Sequence, residues 1–250
     1  MSTENPTPKP AASAAGIFAT THWTCVLTAG RGGSPQAEMA LEELCRTYWY
    51  PLYAYVRRQG HSREDAEDLT QGFFTRLLEK NYLEGISSDK GRFRAFLLVA
   101  LKRYMINEWH HANRQKRGGG VAPLSLDWRD ADTRYLIDPT HELSPDKLYD
   151  RAWAMVVLER VITRLRAENG DDKAALYEQL KPFLMIGKSE IPYARAAVSL
   201  NLTEGAVRVA VHRLRRRYRE LLREEITQTL AHPAQADEEM SALFSALTGG

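Results

Sequence analysis

The stretch that most constrains this chain is Thr203 to Arg223, TEGAVRVAVHRLRRRYRELLR. Val207, Val211, Leu214, Tyr218 and Leu221 recur at steps of four, three, four and three, which makes one apolar stripe of an amphipathic helix. Glu204, Arg208, His212, Arg215 and Arg219 run beside it on a polar face. Thr203 suits the N-cap, and Glu204 just inside it complements the positive end of the helix dipole. Seven Arg against two Glu over 204–223 give this helix a net charge of +5. Upstream, Pro192 to Ser199 reads as a short helix opened by proline. Leu200-Asn201-Leu202 joins the two. Ala197, Asn201 and Val207 fill the small, left-handed and buried-branched places of a helix-turn-helix, since Asn accepts a positive φ more readily than most residues. A tight turn followed by a basic helix points to DNA reading rather than to a solvated surface helix.

A second basic helix lies far upstream. From Arg92 to Lys116, Phe93, Phe96, Leu97, Ala100, Leu101 and Tyr104 form a core face. Arg103, Asn107, His110, Arg114 and Arg117 make a basic-polar stripe, with seven Lys or Arg against one Glu over 92–117. Trp109 interleaves with these charges, and an aromatic face among cations suits single-stranded or distorted DNA. The formal net charge of only +2 hides this segregation. Before this helix, Ser62 caps a segment from Glu64 to Lys80, with Asp65 three residues on as in a capping box. Glu64, Asp65, Glu67 and Asp68 make its first turn acidic. No His or Cys joins them into a metal set, and His110 and His111, about 100° apart on a helix, are badly placed to share an ion.

The rest sets the organisation. Residues 1–21, rich in Pro, Ala, Ser and Thr, read as a disordered leader. Leu41, Leu44, Tyr48, Leu52, Tyr55 and Val56 give a helix that Pro51 should kink or split, closed by Gly60. After the break at Gly118 to Gly120, Val121 to Asp150 carries seven acids against three bases. With its three prolines it reads as an extended linker over 118–144. Ser144-Pro145 restarts a helix with the stripe Leu148, Ala152, Met155, Leu158, Ile162 and Leu165, ended by Gly170. Another helix runs from about Asp172 to Met185. Met240, Leu243, Phe244 and Leu247 mark a short amphipathic tail that needs a groove in cis or on a partner. Cys25 and Cys45 read as reduced thiols. No apolar run is long enough to span a bilayer and no signal pattern opens the chain, so it is expected to be cytoplasmic, without a membrane.

DAEDLTQGFFTRLL (Asp65 to Leu78) resembles the acidic signature of region 2 of bacterial RNA polymerase sigma factors. Gly91 to Arg117 resembles the continuation of that region, and Tyr193 to Leu222 resembles region 4. With little between, the chain resembles the extracytoplasmic-function (ECF) group. The resemblance implies an all-α chain with two helical domains, at 36–117 and 145–225, joined by the 118–144 linker and followed by a 226–250 extension. It implies no enzyme, no cofactor and no metal, but a promoter-specificity subunit whose partners are polymerase core (β′ clamp helices, β flap) and promoter DNA. An anti-sigma factor or other regulator is left open. Asp65, Asp68, Gln71 and Phe74 would bind the clamp helices. Ser88, Lys90, Arg92, Arg94, Arg103, Asn107, Trp109, His110 and Arg114 would face the melted minus-ten element. Thr203, Glu204, Arg208 and His212 would lie near base edges of the minus-thirty-five element, with Arg213, Arg215 and Arg217 on phosphates. The linker would follow the polymerase's RNA path.

Gly72 departs from that pattern, standing where Glu is common, as do Arg103 and Asn107 where Asn and Asp align and Asn201 at a frequent Gly. The linker and tail are also longer than the group's. A stand-alone helix-turn-helix regulator is the alternative, and it leaves the 92–117 helix without a role. A helical nuclease or nucleotide hydrolase built on Glu64, Asp65, Glu67 and Asp68 is the enzyme alternative.

Overall fold

The computed structural model describes residues 35–78, 92–114, 129–137, 142–170, 174–185, 192–230 and 232–248. Residues 1–34 with Cys25, residues 79–91 with Ser88 and Lys90, and most of the 118–144 stretch expected as a linker lie outside the described residues. The helices are α1 (Pro35–Arg58), α2 (Arg63–Leu78), α3 (Phe93–Arg114), α4 (Arg129–Ile137), α5 (Pro145–Asn169), α6 (Ala174–Leu180), α7 (Pro182–Met185), α8 (Tyr193–Leu200), α9 (Glu204–Gln228) and α10 (Ala236–Thr248). Among the described residues the only β pairing is one antiparallel bridge, Arg92 to Leu230. The chain is all-α, as its periodicities require.

Helix α1 is the axis of the body. Leu44, Cys45, Thr47, Tyr48, Trp49, Leu52, Tyr53, Ala54, Tyr55 and Val56 are all buried, so apolar surface surrounds the second half of the helix, the mark of a central element, while Met39, Glu42 and Arg46 are exposed nearer its start. Pro51 lies inside α1 and does not divide it. Burial pushes the Cys45 thiol up to about 12, which keeps it protonated and inert. Gly60, at φ 94°, ends the helix in a conformation that favours glycine.

Helix α5 packs along α1, α9 and α10. Ser144 accepts from the Lys147 amide, Pro145 occupies the first turn, and Gly170 follows the last residue at φ 62°. Its buried surface is broader than the six-residue stripe. Tyr149, Trp153, Val157 and Val161 are inside, whereas Met155 is 40% exposed. A helix held between several neighbours buries more than one face, and a single-stripe reading misses the second. The segment expected as one helix from Asp172 divides at Pro182, which opens α7 instead of interrupting α6.

One apolar cluster runs through α1, α2, α3, α5 and α9, so the stretches assigned to two domains pack against each other here. Polar contacts join them as well. Arg160 of α5 donates to the carboxylates of Glu43 and Glu225 and to Thr47 Oγ1 at 3.0 Å. Arg58 donates to the Leu143 carbonyl at 2.9 Å. The linker is not wholly extended, because Arg129–Ile137 is the helix α4. It is tied to α1 where Asp132 accepts from the Tyr53 hydroxyl at 2.8 Å and from Arg57 at 3.2 Å, and Ala131 is buried. Its apolar residues, Ala131, Tyr135, Leu136 and Ile137, are too few and too bunched to show a helical stripe in the sequence.

Candidate polymerase and nucleic-acid interfaces

The acidic turn of α2 is built by its cap. Ser62 Oγ accepts from the Asp65 amide at 3.1 Å, the N-cap half of a capping box, and its hydroxyl donates to the Asp65 carboxylate at 2.9 Å. Arg63 pairs with Glu67 at 2.8 Å. Asp65 and Asp68 are exposed and Gln71 half-buried. Phe74 is not on this surface: it is fully buried and packs edge-on against Phe73 at 5.9 Å between ring centroids. Its period places it with Ala66, Phe73 and Leu77 on the side that α1 and α3 cover. Phe74 supports the acidic face from beneath.

The mid-helix glycine has a physical account. A Cβ built at Gly72 would fall on the Tyr104 hydroxyl, closer than real side chains approach. Tyr104 is buried, with its ring 5.9 Å from that of Phe73. Gly72 thus lets the tyrosine of α3 lie across α2, at the helix-propensity cost of about 1 kcal/mol that glycine carries.

Between α2 and α3 lies a groove of about 850 Å³ whose lining includes Asp65, Asp68, Leu69, Ile106, Trp109 and His110. It unites two sets of residues that the sequence assigned to different partners. Trp109 is 64% exposed, its ring edge-on to His110 at 5.0 Å. Glu108 also lines this groove, an acid that the count of cations on α3 obscured. Arg103 and Asn107 are exposed on the same helix; the side chain of Arg114 lies outside the described residues.

Arg92 and Arg94 are placed differently from that expectation. Arg94 is only 8% exposed. Its guanidinium donates to Glu239 at 2.5 and 3.3 Å and to Asp150, and lies 4.7 Å from the centroid of the Trp153 ring. The Tyr149 hydroxyl donates to the Arg94 carbonyl at 2.9 Å. Arg92 pairs with Glu239 at 3.0 Å and with Glu238 at 3.5 Å. In this structure Arg94 is an internal tie, while Arg92 pairs with its acids at a side chain still 35% exposed; the acidic partners arrive from α5 and α10.

The helix-turn-helix forms as its residues require. Asn201 adopts the left-handed conformation at φ 52°, alone in positive φ among the described non-glycine residues. The Leu202 amide donates to the Ala197 carbonyl at 3.0 Å. Ala196 and Ala197 are buried against α9, where Val207 and Val211 face inward. Thr203 caps α9 by accepting from the Ala206 amide at 3.2 Å. Phe183 stacks on Tyr193 at 5.1 Å.

The arginines of α9 then divide by role. Arg208 pairs with Glu204 at 2.6 Å and lies 5.1 Å from the Tyr193 ring centroid. Its side chain is 63% exposed, and His212 and Arg213 are exposed too. Arg215 is turned inward, donating through Nε at 2.9 Å and Nη2 at 2.6 Å to the Phe183 carbonyl. Arg217 grips Glu168 with two bonds of 2.7 Å and reaches Glu220 and Glu224. The Arg217 hydrogen bond holds the Glu168 carboxyl below its ordinary range. Arg215 and Arg217 therefore tie α9 to α7 and α5.

Residues 44–115, from within α1 to just past the end of α3, match the family model of Sigma-70 region 2. The chain therefore carries a sigma-70 region 2 domain. No curated protein and no solved structure matches the chain. Among the described residues no His, Cys, Asp and Glu group has the makings of a metal site, and no helix is long and apolar enough to cross a membrane.

Proposed function

We propose that this chain is a promoter-specificity subunit of bacterial RNA polymerase, of the ECF group, acting in the cytoplasm and without catalytic chemistry of its own. The observation that carries the reading is the Sigma-70 region 2 match over 44–115, which covers an exposed acidic turn on α2 and the basic-aromatic helix α3. The helix-turn-helix of α8 and α9 supports it by supplying a second DNA contact. In this reading Asp65 and Asp68 meet the β′ clamp helices. Arg103, Asn107, Trp109 and His110 meet the opened minus-ten strand, on which an exposed tryptophan can stack a base. Glu204, Arg208, His212 and Arg213 enter the major groove at the minus-thirty-five element, where an arginine reads guanine through two bonds. A stand-alone regulator would use α9 alone and leave the region 2 domain unexplained.

Copurification with core polymerase tests this directly. The chain should comigrate with core on gel filtration. Asp68→Arg should abolish comigration while leaving the circular dichroism spectrum intact, because it reverses the charge of an exposed contact. Unchanged comigration of the variant would remove the acidic turn from the interface.

A further inference from the structure

The outward face of α9 departs from what an exposed helix selects. Gly205, Val209, His212 and Arg216 recur at steps of four, three and four, and all four are exposed. They repeat the rhythm of the buried stripe on the opposite side of the helix. Glycine gives up backbone entropy in a helix and branched valine gives up rotamer freedom, so neither suits an exposed helical position on its own account. The fold does not require them either. Val209 is 52% exposed. Gly205 has no positive φ to adopt, and a Cβ built there would meet nothing within 4 Å, whereas at Gly72 it would strike Tyr104. Side chains on a helix lean toward its N-terminus, so Val209 covers the turn before it, where Gly205 has no side chain. The pair forms an apolar notch. Arg208 and His212 flank it on one side and Arg213 on the other, all exposed.

We propose that Val209, seated over Gly205, is a specificity-determining residue that reads the C5 methyl group of a thymine in the major groove. This role rests on the minus-thirty-five reading above and deepens it by naming a base. The surrounding cations suit the phosphates of a duplex, while the side chains of the notch offer no polar atom to a base edge. Among the four bases only thymine presents an apolar group in that groove. Against a polar edge Val209 would cover donors and acceptors without bonding them, which is unfavourable. The first turns of a recognition helix are the ones that reach base edges, and Gly205 and Val209 are the second and sixth residues of α9. A glycine there lets the helix backbone come close to the base. An acidic protein surface would suit the same cations, but it carries no thymine to distinguish.

The test uses the full chain mixed with core polymerase and a randomised duplex DNA library. Bound duplexes are recovered and sequenced. In the selected duplex each thymine on either strand is then replaced in turn by uracil, which pairs alike and lacks only the C5 methyl group. One thymine of the upstream element should lose roughly fourfold in affinity, the weight of one buried methyl-sized group. Val209→Ala should bind the thymine and uracil forms at that position equally, the signature of a direct contact in a double-mutant cycle. Gly205→Ala should melt no earlier than the wild type, since alanine suits a helix better. It should nevertheless bind the selected duplex about fivefold more weakly or worse, the low end of what an added methyl costs in a packed contact. A selected upstream element without thymine overturns the proposal, as do uracil effects equal in wild type and Val209→Ala, or full affinity in Gly205→Ala. Each of these leaves the helix-turn-helix reading standing. Recovery of no preferred sequence overturns that reading and the proposal with it.

Discussion

Helices α3 and α9 look alike as sequence and differ as structure. Each is strongly basic, and each carries a polar stripe beside an apolar one. On α9, Arg208 and Arg216 keep side chains 63% and 73% exposed. Ahead of α3 and in its first turn, Arg92 and Arg94 are drawn into Glu239, Glu238 and Asp150. Cation count on a helix therefore does not say which cations face a ligand. That is settled by acids elsewhere in the chain, and here they lie on α5 and α10.

Removing the buried cation should separate the two helices most strongly. Arg94→Ala leaves Glu239 fully buried without its nearest partner and should cost about 3–5 kcal/mol in urea unfolding. Arg103→Ala, on the exposed side of α3, should stay within about 0.5 kcal/mol. Equal effects would show that the two arginines share one environment.

On α9 the same contrast should split binding from stability. Arg208→Ala is expected to lose about 1–3 kcal/mol of minus-thirty-five affinity and to relax preference near one base pair, with unfolding unchanged. Arg215→Ala should lower stability by about 1–2 kcal/mol, because it breaks two bonds to the Phe183 carbonyl. Its salt dependence of DNA binding should match the wild type, as Arg215 neutralises no phosphate. A flattened salt slope for Arg215→Ala would return it to the DNA surface.

A smaller effect sharpens the account of the α2–α3 packing. Gly72→Ala gains helix propensity yet collides with the Tyr104 hydroxyl, and the balance should be a loss of about 1 kcal/mol. Adding Tyr104→Phe should recover most of it. Independent, additive effects in the double-mutant cycle would refute the contact.

The parts that were legible in sequence are those set by neighbours in the chain. Ser62, Ser144 and Thr203 cap the helices they precede, and Gly60 and Gly170 end helices at positive φ. Asn201 takes the left-handed turn, and the stripe from Val207 to Leu221 faces inward. All of these follow from local backbone chemistry. What was not legible depends on distance along the chain. Arg94 and Glu239 are 145 residues apart, and nothing near either announces the other. Phe74 is indistinguishable from an exposed aromatic until α1 and α3 cover it. The burial of the second half of α1 becomes intelligible only once α5 lies along it, and nothing near either helix announces the other.

The role proposed for this chain is to direct RNA polymerase to promoters. Multi-round transcription of a genomic fragment library by purified core polymerase, with and without the chain, tests it most directly. Discrete transcripts that depend on the chain and disappear with Asp68→Arg are the predicted result. Transcript patterns identical to those of core polymerase alone would contradict the claim.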